Sequence, residues 1–246
     1  MPPIRLRILL TNDDGIDAPG LMALRQSVLA ACGDRVERLI TLAPDRQRSE
    51  CGHGVSSATP LAVAQVGEDA WSAAGTPVDC VRFALARLCP EVDCVVSGIN
   101  AGANLGTDLL VSGTFAAARE AHFRGVAAIS ISQYRRPDIA RQWGHAPSWL
   151  VGILTDLADR VAAGERRLWN INLPAIAANS PPPPAVECPV DPTPIPLRYR
   201  PTDCGRYAVE SDFHDRPRRP GGDVDVCFSG KISISSWDAV GFPAGL

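Results

Sequence analysis

The chain has 246 residues, 46% of them hydrophobic, which is enough for one substantial α/β core and argues against overall disorder. Its net charge of −3 and pI near 5.8 point away from a nucleic-acid polymer or an anionic membrane as partner. No apolar run approaches the roughly 20 residues of a spanning helix, and Arg5 and Arg7 interrupt the first apolar segment, so the expected location is cytoplasmic.

In chain order, Leu6–Thr11 reads as a strand. Pro19 and Gly20 open a helix with Leu21, Leu24, Val28 and Cys32 on one face and Gly33 as its stop. Val36–Ala43 is apolar enough for a second buried strand, so the first three elements form a βαβ unit with a parallel sheet. A polar loop follows from Pro44 to about Thr59. Pro60–Val66 and Ala70–Ala74 fit a short hairpin around Gly67. Thr76-Pro77-Val78-Asp79 has the form of an N-cap, a first-position proline and a first-turn acid, opening a helix to about Leu88. Val92–Val96 is the next buried strand and runs into Ser97-Gly98-Ile99-Asn100. Ser112-Gly113-Thr114 precedes an alanine-rich helix that stops at Gly125. A strand at Val126–Ile131, a helix around Pro147–Ala163 and a strand at Leu168–Leu173 complete the regular pattern.

From Pro174 onward the composition changes, with 13 of the 22 prolines, including Pro181–Pro184. Such a tract forms neither a helix nor an internal strand. Residues 1–175 are therefore expected as the core and 176–246 as an extended C-terminal arm. Val224–Ile234 fits either one strand or a short helix capped by Asp223 and stopped by Gly230, with a strand at Lys231–Ser236. The eight cysteines include no Cys-x-x-Cys pair and read as reduced, mostly buried thiols.

The chemistry concentrates at Ile8–Gly15, where three apolar residues run into Thr11, Asn12 and two adjacent carboxylates, Asp13 and Asp14. Two carboxylates 4 Å apart repel by about 4 kcal/mol at an effective dielectric near 20. A cation between them removes that cost. Gly15 allows a turn that brings both to one side. Oxygen donors of this kind suit magnesium or manganese better than zinc; a helix-capping role for one Asp is the competing reading. In parallel α/β sheets ligands gather beyond the carboxyl ends of the strands. The loops Asn12–Gly15, Asp45–His53, Ser97–Asn104 and Ser112–Thr114 share that edge. Ser112-Gly113-Thr114 offers hydroxyls and free amides at a positive helix end, suited to an anion or simply to capping. A metal there would polarise a phosphoryl oxygen and acidify a water, with further positive charge from Arg46 or Arg48. Dinucleotide-fingerprint spacing, a P-loop lysine, an Asp-x-Asp nucleophile and a Gly-x-Ser-x-Gly elbow are all missing. Of the four histidines, only His53 lies in an active-edge loop.

Several motifs together resemble one family. Leu10–Gly20, Ala43–Ser49, Gly75–Cys80, Ser97–Asp108, Ser112–Thr114 with Ala117–Glu120, Asn170–Pro174 and Gly230–Ser235 follow, in order, the pattern of the SurE (stationary-phase survival) 5′/3′-nucleotidases. The resemblance implies a Rossmann-like, mostly parallel sheet with helices on both faces and a C-terminal arm that assembles a homodimer or homotetramer. It implies a phosphomonoesterase acting on nucleoside 5′- and 3′-monophosphates, and on short polyphosphate, with one Mg²⁺ or Mn²⁺ per subunit. The metal ligands map to Asp13, Asp14, Ser49 and Asn100, with Asp13 also assisting as base. Substrate-binding positions map to Asn12, Asn104, Ser112, Gly113 and Thr114. The same pattern favours the short helix before Gly230. Glu50 stands where the family usually has glycine, and Val111 where it commonly has tyrosine. An extra acid at Glu50 would repel phosphate, and a catalytically weak nucleotide-binding regulatory or stress protein is the alternative function.

Overall fold

The computed structural model describes residues 4–49, 51–210 and 213–237. Its elements in chain order are β1 (Leu6–Thr11), α1 (Pro19–Cys32), β2 (Val36–Pro44), β3 (Val63–Gly67), β4 (Ala70–Ala73), α2 (Pro77–Phe83), β5 (Cys94–Asn100), α3 (Gly113–Phe123), β6 (Ala127–Gln133), α4 (Ala146–Ala162), β7 (Leu168–Leu173), β8 (Ala185–Glu187), β9 (Tyr199–Pro201), β10 (Tyr207–Val209), α5 (Asp223–Phe228) and β11 (Ile232–Trp237).

The main sheet has the order β3-β4-β2-β1-β5-β6-β7-β11-β8. Its centre, β2-β1-β5-β6-β7, is wholly parallel, because each crossover carries a helix or a longer excursion rather than a tight turn. Alternate residues of each strand feed opposite faces. Leu6, Ile8 and Leu10 meet Leu24, Val28, Leu150 and Leu154 of α1 and α4 on one side. Leu9, Val95 and Ala128 meet Phe115, Ala117, Ala121 and Val81 of α3 and α2 on the other. Small alanines let α3 lie close to the sheet. Burying each large aliphatic side chain in these layers stabilises the fold by roughly 1.5–3 kcal/mol.

The expected elements from β1 to β7 are all present. The α2 segment is regular only to Phe83, and Ala84–Leu88 continues as one wider turn. In the ambiguous tail the short helix forms, followed by β11. Its cap is Gly222 rather than Asp223, whose carboxylate instead accepts from the amides of Gly106 (2.9 Å), Asp191 (2.8 Å) and Val224 (2.9 Å). Beyond residue 176 the chain is not only an arm. β11 returns antiparallel to β7, and β8 pairs parallel to β11, extending the main sheet. The β9–β10 hairpin stands apart as a two-stranded sheet. All eight cysteines are free thiols, five of them buried.

The Thr76–Asp79 start of α2 is a complete capping box. Thr76 Oγ1 accepts from the Asp79 amide (3.1 Å), and Asp79 Oδ2 accepts from the Thr76 amide (2.9 Å). Asp79 Oδ1 also accepts from the Ser56 amide (3.0 Å), and the Thr76 hydroxyl donates to Gly54 (2.7 Å). The box therefore ties the 45–59 loop to the sheet. Burial alone would raise the Asp79 pKa, but hydrogen bonds from Thr76 and Ser56 outweigh it and hold the carboxyl below its usual range. Its contribution to stability is then present above the unfolded-state value of about 3.9 and is lost as pH falls through the lower folded-state value. Asp79→Ala is expected to cost about 2 kcal/mol in urea unfolding at pH 7, with the gap to the native chain closing below about pH 4. A gap that stays constant with pH would refute the assignment.

Candidate metal and phosphate site

The strand order reverses direction between β1 and β5, since β2 lies to one side of β1 and β5 with β6 to the other. A crevice opens at such a switch point, beyond the carboxyl ends of the strands. β1 ends there in Asn12-Asp13-Asp14, and β5 ends in Asn100.

Three of the four expected metal positions, Asp14, Ser49 and Asn100, line one cleft of about 400 Å³. Asp14 Oδ2 accepts from the Ala101 amide at 3.2 Å. Asn100 donates from Nδ2 to the Gly102 carbonyl (2.7 Å), so its oxygen is the end available to a cation. Ser49 is exposed and its hydroxyl accepts from Gln47 (2.8 Å). Asp13, the fourth position, is buried and does not line the cleft. Its Oδ1 accepts from the Thr114 hydroxyl at 2.5 Å, and its carbonyl accepts from the Arg48 amide at 2.7 Å. That second bond holds the 45–49 loop, and Ser49 with it, beside the end of β1.

Burial first, and then the charge of Asp14, push the Asp13 pKa up, while the Thr114 contacts pull it down; the result is about 6. The carboxylate pair is short of positive charge. The donors around it are two carboxylates, an amide oxygen and a hydroxyl, a hard set that fits Mg²⁺ or Mn²⁺. Among the described residues no cluster of three or more His, Cys, Asp or Glu could hold a metal, which excludes a site built from such side chains alone.

Asn12, Ser112, Gly113, Thr114 and Asn104 occupy different roles. Asn12 closes the turn, accepting from the Gly15 amide (3.1 Å) and donating to its carbonyl (2.9 Å); the chain reverses at Gly15, whose φ is 108°. Ser112 caps α3 by accepting from the Phe115 amide (3.0 Å). The Gly113–Thr114 start of α3 faces the Asp13 carboxylate, so the anion seated at this helix end is the protein's own. Asn104 lies within a polar network. Its side-chain nitrogen donates to Ser132 (2.7 Å), its amide to Asn172 Oδ1 (2.9 Å), and its carbonyl accepts from Asn170 (3.0 Å) and Asn172 (2.9 Å).

Of the cationic and histidine candidates, Arg48 and His53 are engaged by other side chains. Arg48 pairs with Asp45 at 3.0 Å. His53 Nδ1 accepts from Arg119 (3.1 Å), leaving Nε2 to donate to Glu120 (2.9 Å). Glu120 also meets Arg82 (2.9 Å) and Arg124 (2.6 Å). Burial would raise the Glu120 pKa, yet His53, Arg124 and Arg82 together hold it below the usual value. His53 therefore fastens its loop to α3. Val111 is exposed next to the α3 cap, while Glu50 lies outside the described residues.

Motif reading missed Arg141 and Trp143, which line the cleft together with Ala18, Pro19 and Gly20 of the Leu10–Gly20 motif. Arg141 and Trp143 sit in a segment with no periodicity and no motif. Gly20 did carry a signal, as the end of the Leu10–Gly20 motif, and its reason is steric. A Cβ there would lie 2.1 Å from the Ile99 carbonyl oxygen and 3.1 Å from Trp143 Cη2. Gly20→Ala is expected to lower stability by about 1–3 kcal/mol in urea unfolding, as overpacking does. An unchanged midpoint would show that Ile99 is free to yield.

Comparison with known proteins identifies the family. The family model described as "Survival protein SurE" matches residues 8–187. A protein of Nostoc sp. (strain PCC 7120), whose name gives a 5′-nucleotidase provisionally, is 40% identical over 230 residues, covering 94% of this chain and 98% of that protein. The 5′-nucleotidase SurE of Treponema pallidum is 49% identical over 129 residues, 52% of this chain and 68% of that protein. The crystal structure of a SurE protein from Aquifex aeolicus superimposes with a TM-score of 0.74 at 25% identity, covering 94% of this chain and 92% of the other. The chain belongs to the SurE family.

Proposed function

We propose that this protein is a divalent-metal-dependent phosphomonoesterase that hydrolyses nucleoside 5′- and 3′-monophosphates, with short polyphosphate as a further substrate. Relatives named as 5′-nucleotidases support the general activity. The observation that carries the finer reading is the shared cleft of Asp14, Ser49 and Asn100, with Asp14 adjacent in the chain to Asp13, which is bonded to Thr114 at the start of α3.

Asp13, Asp14, Ser49 and Asn100 would hold the ion. A bound Mg²⁺ or Mn²⁺ would supply charge to polarise the phosphoryl group and make a water more acidic. The chain's own contribution is positioning. The Ser112 hydroxyl would hold a phosphoryl oxygen at the positive end of an 11-residue helix, while the Thr114 hydroxyl is committed to Asp13. Asp13 Oδ1 would take the proton from the attacking water, with the Thr114 hydroxyl fixing its orientation. Asn12 keeps the turn that presents both carboxylates.

Among the described residues no helix is long and apolar enough to cross a membrane. The β9–β10 hairpin exposes Tyr199, Tyr207 and Val209, with Leu197 beside it. This apolar surface supports the reading that the C-terminal segment assembles a homodimer or homotetramer. Tyr207→Lys is expected to reduce the assembly's mass in light scattering, and an unchanged mass would exclude the hairpin.

Activity is tested by phosphate release from AMP, GMP, 3′-AMP, tripolyphosphate and p-nitrophenyl phosphate, with manganese, with magnesium and with EDTA. Release is expected only with metal. Asp13→Asn and Asp14→Asn are each expected to lower it by about a hundredfold or more, with circular dichroism unchanged. Near-normal turnover in Asp13→Asn, or indifference to EDTA, would rule the site out.

A further inference from the structure

The cleft that holds the metal donors has an aromatic wall on its far side. Trp143 and Arg141 line it together with Asp14, Ser49 and Asn100. The indole is held on several sides. Its backbone carbonyl accepts from the Ala146 amide at the start of α4 (3.0 Å). Its ring edge reaches the first turn of α1, where the missing side chain of Gly20 leaves room for Cη2. One face is covered by Arg135, whose guanidinium carbon lies 4.6 Å from the ring centroid.

Arg135 does not line the metal cleft. It lines the neighbouring cavity with Gly102, Ala103 and Tyr134. Arg135 thus meets the indole from the neighbouring cavity, near enough to the cleft for its charge to interact with Asp14 and Arg141. Arg135 Nε and Nη2 are buried without a hydrogen-bond partner among the described residues, so the stack on Trp143 and the attraction of Asp14 are what hold the guanidinium. A cation on one face of an indole keeps the ring in place. The part of the indole that lines the cleft is available to a planar group, and Ala18, Pro19 and Gly20 beside it project little. At about 400 Å³ the cleft is in the range that encloses a small organic ligand.

We propose that Trp143 is the nucleobase platform of this site: the substrate's base stacks on the indole, backed by Arg135, while its phosphate lies toward Asp14, Ser49 and Asn100. This rests on the phosphomonoesterase reading and adds that preferred substrates carry an aromatic base. Base–aromatic stacking is sequence-tolerant because every base has a π face, so the platform selects nucleotides over sugar phosphates without selecting strongly among bases.

The test compares AMP with ribose 5-phosphate, which lacks the base. In Trp143→Ala the ratio of kcat/KM for AMP to that for ribose 5-phosphate is expected to fall by about 5- to 100-fold, the change carried by KM. Trp143→Phe, which keeps a ring, should restore most of the ratio. A structural defect would depress both esters equally, and an unchanged ratio would overturn the proposal. A second readout needs no turnover: adenosine binding by equilibrium dialysis, expected for the native chain and weakened in Trp143→Ala. If neither ester is hydrolysed, the phosphomonoesterase reading fails while adenosine binding still reports on the platform. Equal adenosine binding by both proteins, or none by the native chain, would overturn it.

Discussion

The Asp13 carboxylate, buried at the end of β1 and seated on the Thr114 hydroxyl at the start of α3, is the constraint around which the site is arranged. Taking a carboxylate out of water is costly unless donors or opposite charge compensate it. Here the Thr114 hydroxyl and the helix end provide part of the compensation. The rest is missing, and the raised pKa of Asp13 is the electrostatic sign of that deficit. In the proposed function, a divalent ion beside Asp14 would complete the balance with oxygen donors from three different loops.

Rigidity around this pair comes from far along the chain. Thr11, Ser97, Ser130, Asn170 and Ser235 lie in register across β1, β5, β6, β7 and β11. Within this layer the Ser130 hydroxyl donates to Asn170 (2.6 Å), while the hydroxyls of Thr11, Ser97 and Ser235 are buried without a hydrogen-bond partner among the described residues. Asn104 rests on this layer and fixes the loop after β5. The C-terminal segment secures the same loop from outside. Arg216, nearly inaccessible to solvent, pairs with Asp108 (2.5 Å), and Asp223 accepts from the Gly106 amide. Residues beyond 176 thus shape the rim of the cleft as well as extending the sheet.

Short apolar runs made β1, β5 and β7 legible, and the Pro-Gly and Thr-Pro-x-Asp starts made α1 and α2 legible, because these signals act within a few residues. The adjacent aspartates marked the edge where the chemistry lies for the same reason: a strand interior does not tolerate them. What local pattern does not carry is partner choice across the fold. Nothing within Asp45–His53 announces that His53 will bind Arg119 and Glu120 rather than a phosphate. Asp223 looked like a helix cap, but its carboxylate reaches amides on two other loops. The proline-rich tract hid β8, three residues long, whose pairing depends on β11 some 45 residues later. Trp143 and Arg141 belong to the cleft only because α4 packs on α1.

Manganese located by anomalous scattering in crystals of the native protein tests the central claim most directly. The account predicts one strong peak per chain in the cleft at the ends of β1 and β5, at about 2.0–2.3 Å from oxygens of Asp14 and Asn100, with Asp13 and Ser49 completing its surroundings. A cleft without the ion at saturating manganese, or a peak held by other residues, would contradict it.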